Sequence, residues 1–469
     1  LSHPWFVRKS IASFTAVGES GSESDHKRVL GLWSLTALGI GCTIGAGIFV
    51  MPGLVAAQHA GPAVVLSFVL AAIACLLAAL CYSELAVMMP ASGSAYSYAY
   101  AAFGQLVAFL MGWDLLLEYG LSNSAVAAGW GGYLQALLAQ FGVTLPKTLL
   151  YAPGHLIPGT SARGWFNLPA GAAVAFVTAL LLFGIRESAR FNNAMVTAKI
   201  AVLGLFLILC VPGMQFAHFN PFMPFGWGGV VSGAAVVFFL FIGFDAVSTV
   251  AEETRDVQRT LPRAIALSLT LVTLLYVAVA TVLVAVLPMN ELRHVQEPLA
   301  HALEQMRHPV AALVLSVVAV VGILSVILVA SIGQTRILYV MSRDGLMPAA
   351  FTRLHPTTGA PYAAVLILGG VTAFLAMVVP LEQLADLVSL GTLAAFSVVS
   401  AAVLVLRHEF PEAPRPFRCP GAPFLPGLAI AINLYLMWGL SWTVWSMFLV
   451  WIAIGFGVYV RWLRPPAVT

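Results

Sequence analysis

Apolar blocks of 18 or more residues recur along the whole length of this chain. Each is long enough to cross the ~30 Å hydrocarbon core of a bilayer as a helix. Composition agrees: 60% of the 469 residues are hydrophobic and 9% are charged, against about 25% charged in soluble domains. The blocks predict an all-α integral membrane protein with twelve transmembrane helices. These run over roughly 31–57, 63–89, 104–139, 167–185, 191–212, 227–251, 263–288, 309–341, 361–380, 384–406, 424–441 and 443–463. Residues 1–30 read as a polar tail without the apolar region of a signal peptide. The net charge of +3 is too small to point to nucleic acid. The five cysteines form no CxxC pair, and Cys42, Cys75, Cys81 and Cys210 fall inside apolar spans, as small core residues do.

Twelve spans put both termini on one side. That side then carries seventeen Lys and Arg, the other only Lys147, Arg163, Arg293 and Arg307. Cytoplasmic loops concentrate basic residues, so both termini are expected in the cytoplasm. Moving the count by one helix scrambles the asymmetry. The longest loop, about 140–166, is rich in Pro and Gly and too short for a soluble domain. Function is therefore expected among the helices.

Two spans look interrupted. The first, "LTALGIGCTIGAGIFVMPG", crowds Gly39, Gly41, Gly45 and Gly47 into its middle, with Pro52 following. Glycine weakens a helix by about 1 kcal/mol relative to alanine. The sixth, "VVFFLFIGFDAVSTVAEE", places Gly243 beside an intramembrane acid, Asp245. Each is first in a set of five, and broken helices at matched positions of two halves point to a secondary transporter built from inverted repeats. Unwinding frees N–H groups on one half-helix and C=O groups on the other. The first suit a carboxylate and the second an ammonium or metal cation. Together they can hold both ends of an amino acid. The structural alternative is that small residues only allow close helix packing.

Lys199 sits in the fifth span, "NNAMVTAKIAVLGLFLILCVPG". A charge at membrane depth costs about 2.5–3.5 kcal/mol on insertion scales, so it marks either function or a side chain that snorkels to the interface. Glu118 lies mid-span in the third helix with Asp114 one turn earlier. Glu118 reads as a substrate contact, a proton site or a structural hydrogen bond, Asp114 as structural. Asp245 reads as a proton sensor or a brace of the unwound segment.

Six stretches together resemble the amino acid–polyamine–organocation (APC) superfamily, and within it bacterial members of the cationic amino acid transporter family. They are "GIGCTIGAGIFVMPG", "PASGSAYSYAYAAFG", "LLLEYGLSNSAVAAGW", "RESARFNNAMVTAKI", "GFDAVSTVAEETRDVQRTLPRAI" and "GQTRILYVMSRDGLMP", in that order over about 30–463. The resemblance implies a five-plus-five inverted-repeat core (31–212 and 213–406), two further helices within 407–469, alternating access and an amino acid substrate. It implies a carboxylate on the N–H groups of Ala46 and Gly47, next to Gly45. It implies an ammonium on the carbonyls of Thr43, Phe239 and Ile242, with Phe239 as a gate. Some relatives carry a hydroxyl where Ala46 stands, so a side-chain contact to the carboxylate is missing here. The resemblance also brings Lys199 to the carbonyls of Gly41 and Ile44, where sodium-coupled relatives hold Na⁺, and implies proton-coupled uptake with Lys199 as the carrier.

Phe239, Phe244, Ile327 and Val329 are expected to form an apolar chamber for a small neutral amino acid such as alanine, while Glu118 keeps arginine, lysine and ornithine open. Glu252, Glu253, Arg255, Asp256, Arg259 and Arg263 form either a rearranging salt-bridge network at the cytoplasmic mouth or a solvated loop. "SRDG" at 342–345 is expected to end the eighth helix. No filter-like loop or charge ring favours a channel, and no HExxH or GxSxG motif favours an enzyme. Sodium symport and amino acid exchange remain alternatives to proton symport. No cofactor or metal is expected. The partners expected are the substrate, protons and the lipid of a bacterial inner membrane; the sequence is silent on an accessory subunit.

Overall fold

The computed structural model describes residues 5, 7–9, 30–89, 93–157, 161–183, 189–244, 246–249, 254–293, 295, 297–355 and 361–462. In chain order its helices are α1 (Leu32–Thr43), α2 (Ala46–Val55), α3 (Val64–Met88), α4 (Ala95–Phe103), α5 (Gln105–Gln140) and α6 (Leu168–Leu182). There follow α7 (Ala189–Cys210), α8 (Gly226–Val237), α9 (Ala246–Thr249), α10 (Val257–Val286), α11 (Met289–Leu292) and α12 (Pro298–Gln305). The chain closes with α13 (Pro309–Arg343), α14 (Tyr362–Val378), α15 (Leu381–Glu409), α16 (Phe424–Trp438) and α17 (Trp442–Trp462). Among the described residues the β pairing consists of two isolated bridges, Leu30 with Thr254 and Leu156 with Arg163.

Six helical stretches among the described residues are long and apolar enough to cross a membrane. Exposed positions are apolar both on these and on the shorter apolar helices, α14 among them. On α14, Ile367, Val371 and Phe374 are each more than half exposed, as are Leu449 and Val450 on α17. A helix that is apolar all round belongs in lipid.

Both expected interruptions are present. α1 stops at Thr43, Ile44 and Gly45 leave the helical region, and α2 starts at Ala46. α8 tightens into a 3₁₀ turn at Phe238–Phe241, Ile242 is extended and Gly243 has φ +125°. α4, α11 and α12 are short helices in loops that hydropathy did not reveal.

The N-terminal segment crosses one face of the bundle. Trp5 packs edge-on against Phe456 and Tyr459 of α17. The Gln105 N–H donates to the Val7 carbonyl at 3.1 Å. Arg8 pairs with Glu409, and Lys9 with Asp344 at 3.0 Å. The start of α5 and the ends of α13, α15 and α17 therefore share a face with the N-terminal segment. α13 stops at Arg343 within "SRDG" as expected, and Asp344 also accepts from the Tyr96 hydroxyl at 2.9 Å.

Glu84, in the last turn and a half of α3, is buried on this face. Arg407 grips it through two bonds of 2.9 and 2.6 Å, the Cys419 N–H donates to it at 2.7 Å, and Arg415 lies 3.4 Å away. A buried carboxylate needs such compensation, and removing one partner of a buried pair costs about 3–5 kcal/mol. Arg407→Ala is expected to lower the melting temperature in detergent by several degrees; an unchanged value would show that Arg415 alone suffices.

On the opposite face α12 packs on α2: a Cβ built on Gly53 would meet Pro298 at 3.0 Å. Burial, with Glu304 adding, pushes the Glu297 carboxyl just before α12 up to about 7 from its ordinary 4.5. A raised folded-state pKa makes the fold hold this proton more tightly than the unfolded chain, so stability falls as pH rises from about 4.5 to about 7 and levels off above. Glu297→Gln is expected to flatten that part of the stability profile, read as melting temperature between pH 5 and 8.

Candidate functional site

The two unwound segments touch through their backbones. A Cβ built on Gly243 would lie 2.7 Å from the Cys42 carbonyl carbon and 2.9 Å from the Thr43 nitrogen. With φ +125° as well, only glycine fits. A Cβ on Gly47 would strike Leu240 at 2.7 Å, and one on Gly45 would press on Val326 at 3.3 Å. Tyr276 of α10, fully buried, ties the breaks together. Its hydroxyl lies 2.8 Å from the Thr43 carbonyl and 3.2 Å from the Leu240 carbonyl. The Thr43 carbonyl also accepts from the Gly45 N–H at 2.9 Å. Carbonyls released at the end of α1 are thus partly satisfied by protein, and the N-terminus of α2 opens beside them.

A cavity of about 110 Å³ adjoins the breaks on the face that carries the N-terminal segment. Its walls include Leu38 and Cys42 of α1, Glu118, Tyr119 and Ser122 of α5, Ile242 and Gly243, and Val326, Val329, Ala330, Gly333 and Arg336 of α13. The lining is mainly apolar, with one carboxylate and one exposed guanidinium. A second cavity of about 150 Å³ lies toward the other face, bordered by Val50 and Leu54 of α2, Gly129, Arg293 and Glu382 among others. Tyr133 of α5 donates to the Phe49 carbonyl at 2.8 Å and packs on the Phe49 ring, joining α5 to α2 beside it.

Lys199 does not snorkel. It is 1% exposed, and its ammonium lies 3.4 Å from the Gly41 carbonyl. Its stem crosses Gly322 of α13, where a Cβ would come within 2.7 Å of Lys199 Cε. The lysine therefore fills the space between α1 and α13, through a gap that Gly322 leaves open. An ammonium donates to carbonyls as a metal ion would accept their electrons.

Other expected residues sort by geometry. Glu118, Ile242 and Val329 line the first cavity. Phe239 is 5% exposed in the 3₁₀ turn next to the break. Phe244 points elsewhere, packing its ring on Tyr82 and Phe396, and Ile327 is wholly buried outside the lining. Asp114 sits against α15, where a Cβ on Gly391 would meet its Oδ1 at 2.8 Å. Asp245, Glu252 and Glu253 lie outside the described residues. From the mouth cluster, the Arg255 N–H donates to the Leu30 carbonyl at 2.9 Å, seating this loop on the start of α1. Sequence reasoning missed Tyr276, Gly322 and Arg336.

The amino acid permease family matches the chain over residues 30–465. The chain belongs to that family, within the APC superfamily. It is 46% identical over 459 residues to the branched-chain amino acid permease BcaP of Bacillus subtilis, covering 98% of this chain and 97% of that protein. It is 44% identical over 459 residues to the methylthioribose transporter of the same organism, covering 98% of each. It is 37% identical over 398 residues to cationic amino acid transporter 4 of Homo sapiens, covering 83% of this chain and 61% of that protein. The chain is thus a multi-pass membrane transporter, and not an enzyme.

Two substitutions test the join between the breaks. Gly243→Ala adds a backbone clash and strain of about 1–3 kcal/mol, and is expected to lower uptake at least tenfold. Tyr276→Phe removes the hydroxyl shared by the two segments, worth about 1–3 kcal/mol. It should leave expression intact while cutting uptake about tenfold. Normal uptake in both variants would show that the breaks do not depend on each other.

Proposed function

We propose that the protein carries a neutral aliphatic L-amino acid into the cell by alternating access, coupled to protons. The observation that carries this reading is the pair of unwound segments in backbone contact beside a mainly apolar cavity. In it, the N–H groups of Ala46 and Gly47 at the start of α2 receive the carboxylate. Carbonyls of Thr43, Phe239 and Ile242 receive the ammonium, and Phe239 closes the site from the far side. The cavities on the two sides of the breaks are the inner and outer halves of one path. The architecture is twelve spans in two inverted sets of five, 31–212 and 213–406, with two more helices in 407–469. Both termini face the cytoplasm by the charge bias, across a bacterial plasma membrane.

Lys199 is the proton carrier in this reading. Charged, it holds the Gly41 and Ile44 carbonyls and fixes α1 against α13; neutral, it releases them. Asp245 takes a secondary part in coupling. The side chain of the substrate meets Val326, Val329, Ala330 and Ile242. Arg336 at the rim opposes a cationic side chain, and the likeness to a branched-chain permease points the same way. A second reading has an observation of its own: Glu118 lines the cavity and offers a counter-charge to arginine or lysine.

Uptake of labelled leucine and arginine into proteoliposomes decides between them, with and without an inward pH gradient and without sodium. Leucine uptake stimulated by the gradient, and lost in Lys199→Ala, is expected. Arginine uptake that falls tenfold in Glu118→Gln would establish the cationic reading. Uptake that needs amino acid preloaded inside would make the protein an exchanger.

A further inference from the structure

A cavity larger than either of those beside the breaks lies outside the path just described. It is an apolar groove of about 910 Å³ between α5, α13, α14, α15 and α17. Ile367 and Val371 of α14 border it and are 53% exposed each, and Met447 of α17 borders it at 42%, so it opens sideways toward the bilayer. Along α14 it runs from Ile367 to Leu375, a rise of about 12 Å at 1.5 Å per residue, and continues to Val379 just beyond the helix. One leaflet contributes about half of the ~30 Å hydrocarbon core. An apolar recess of this kind does not hold ordered water, and leaving it empty forfeits dispersion contacts along its walls.

Two arginines follow closely on residues that line the groove at the face carrying the N-terminal segment. Phe351 and Val458 are these residues. Two residues beyond Phe351 stands Arg353. Arg461 stands three residues beyond Val458, on the same side of α17. Both arginines are exposed, and among the described residues neither joins an ion pair. Trp5 meets Tyr459, two residues before Arg461, edge to face, as amphipathic rings sit at headgroup depth. We propose that this groove holds a phospholipid, one acyl chain lying along α14 and its anionic headgroup meeting Arg353 and Arg461.

The position gives the lipid a route to the transport site. The groove is lined by Leu116, Leu117, Gly120 and Leu121 of α5 and the inner cavity by Glu118, Tyr119 and Ser122, so the two share one stretch of helix from opposite sides. On α13, Gln334 faces the groove while Gly333 and Arg336 face the cavity. Gln334 donates to the Leu116 carbonyl at 2.9 Å and locks the two helices together. A chain in the groove braces that shared wall.

Native mass spectrometry of the protein released from liposomes of phosphatidylglycerol and phosphatidylethanolamine tests the site. Wild type is expected to retain one phospholipid per chain, with phosphatidylglycerol favoured. Val371→Trp, which fills the groove from a lipid-facing position, should abolish retention. Arg353→Gln with Arg461→Gln should keep an adduct but weaken the headgroup preference at least about fivefold. Wild type that retains no phospholipid, or retains both lipids equally, overturns the proposal, as does retention that Val371→Trp leaves unchanged.

Discussion

A helix that unwinds inside a membrane must find partners for every backbone group it releases, because the surrounding hydrocarbon offers none. This chain meets the requirement by placing its two unwound segments against each other. Gly243 allows the backbone of one to approach Cys42 and Thr43 of the other within contact distance. Tyr276 then bridges the Thr43 and Leu240 carbonyls from a third helix. What remains available is the N-terminus of α2 and part of the carbonyl set, a small dipolar site in apolar walls. The same glycines that make the site also couple it: α1 cannot shift without moving against the α8–α9 segment.

Lys199 extends that coupling to α13. A buried ammonium between α1 and α13 has the charge of a monovalent cation but is tethered to α7, so its occupancy is fixed and only its protonation can vary. Gly322 on α13 and the Gly41 carbonyl on α1 show how closely the surroundings are shaped to the stem. An ion at this position would bind or leave; in the mechanism we propose, the lysine stays and exchanges only a proton.

Much of this was legible in the sequence, for reasons that differ by residue. Apolar block length placed the long helices, glycine density placed the first break, and Gly243 beside the intramembrane Asp245 placed the second, because backbone conformation is a local property. Lys199 stood out because an intramembrane charge is costly. The family likeness supplied the Gly41 contact, which neither composition nor spacing could give. Phe244 went the other way: beside the break in sequence, it turns toward Tyr82 and Phe396, since which side of a short unwound segment a ring takes depends on its neighbours in space. Tyr276, Gly322 and the Glu84 ion pair were missed for the same reason. Their partners lie 36 to 335 residues away, and no local pattern announces them.

The central claim is that an amino acid sits between the two breaks with its carboxylate on α2. A structure determined with bound leucine tests it most directly. The carboxylate is predicted at the N–H groups of Ala46 and Gly47, the ammonium at the end of α1, and the side chain toward Val326 and Val329. Leucine bound elsewhere, or held with its carboxylate on Arg336, would contradict the account.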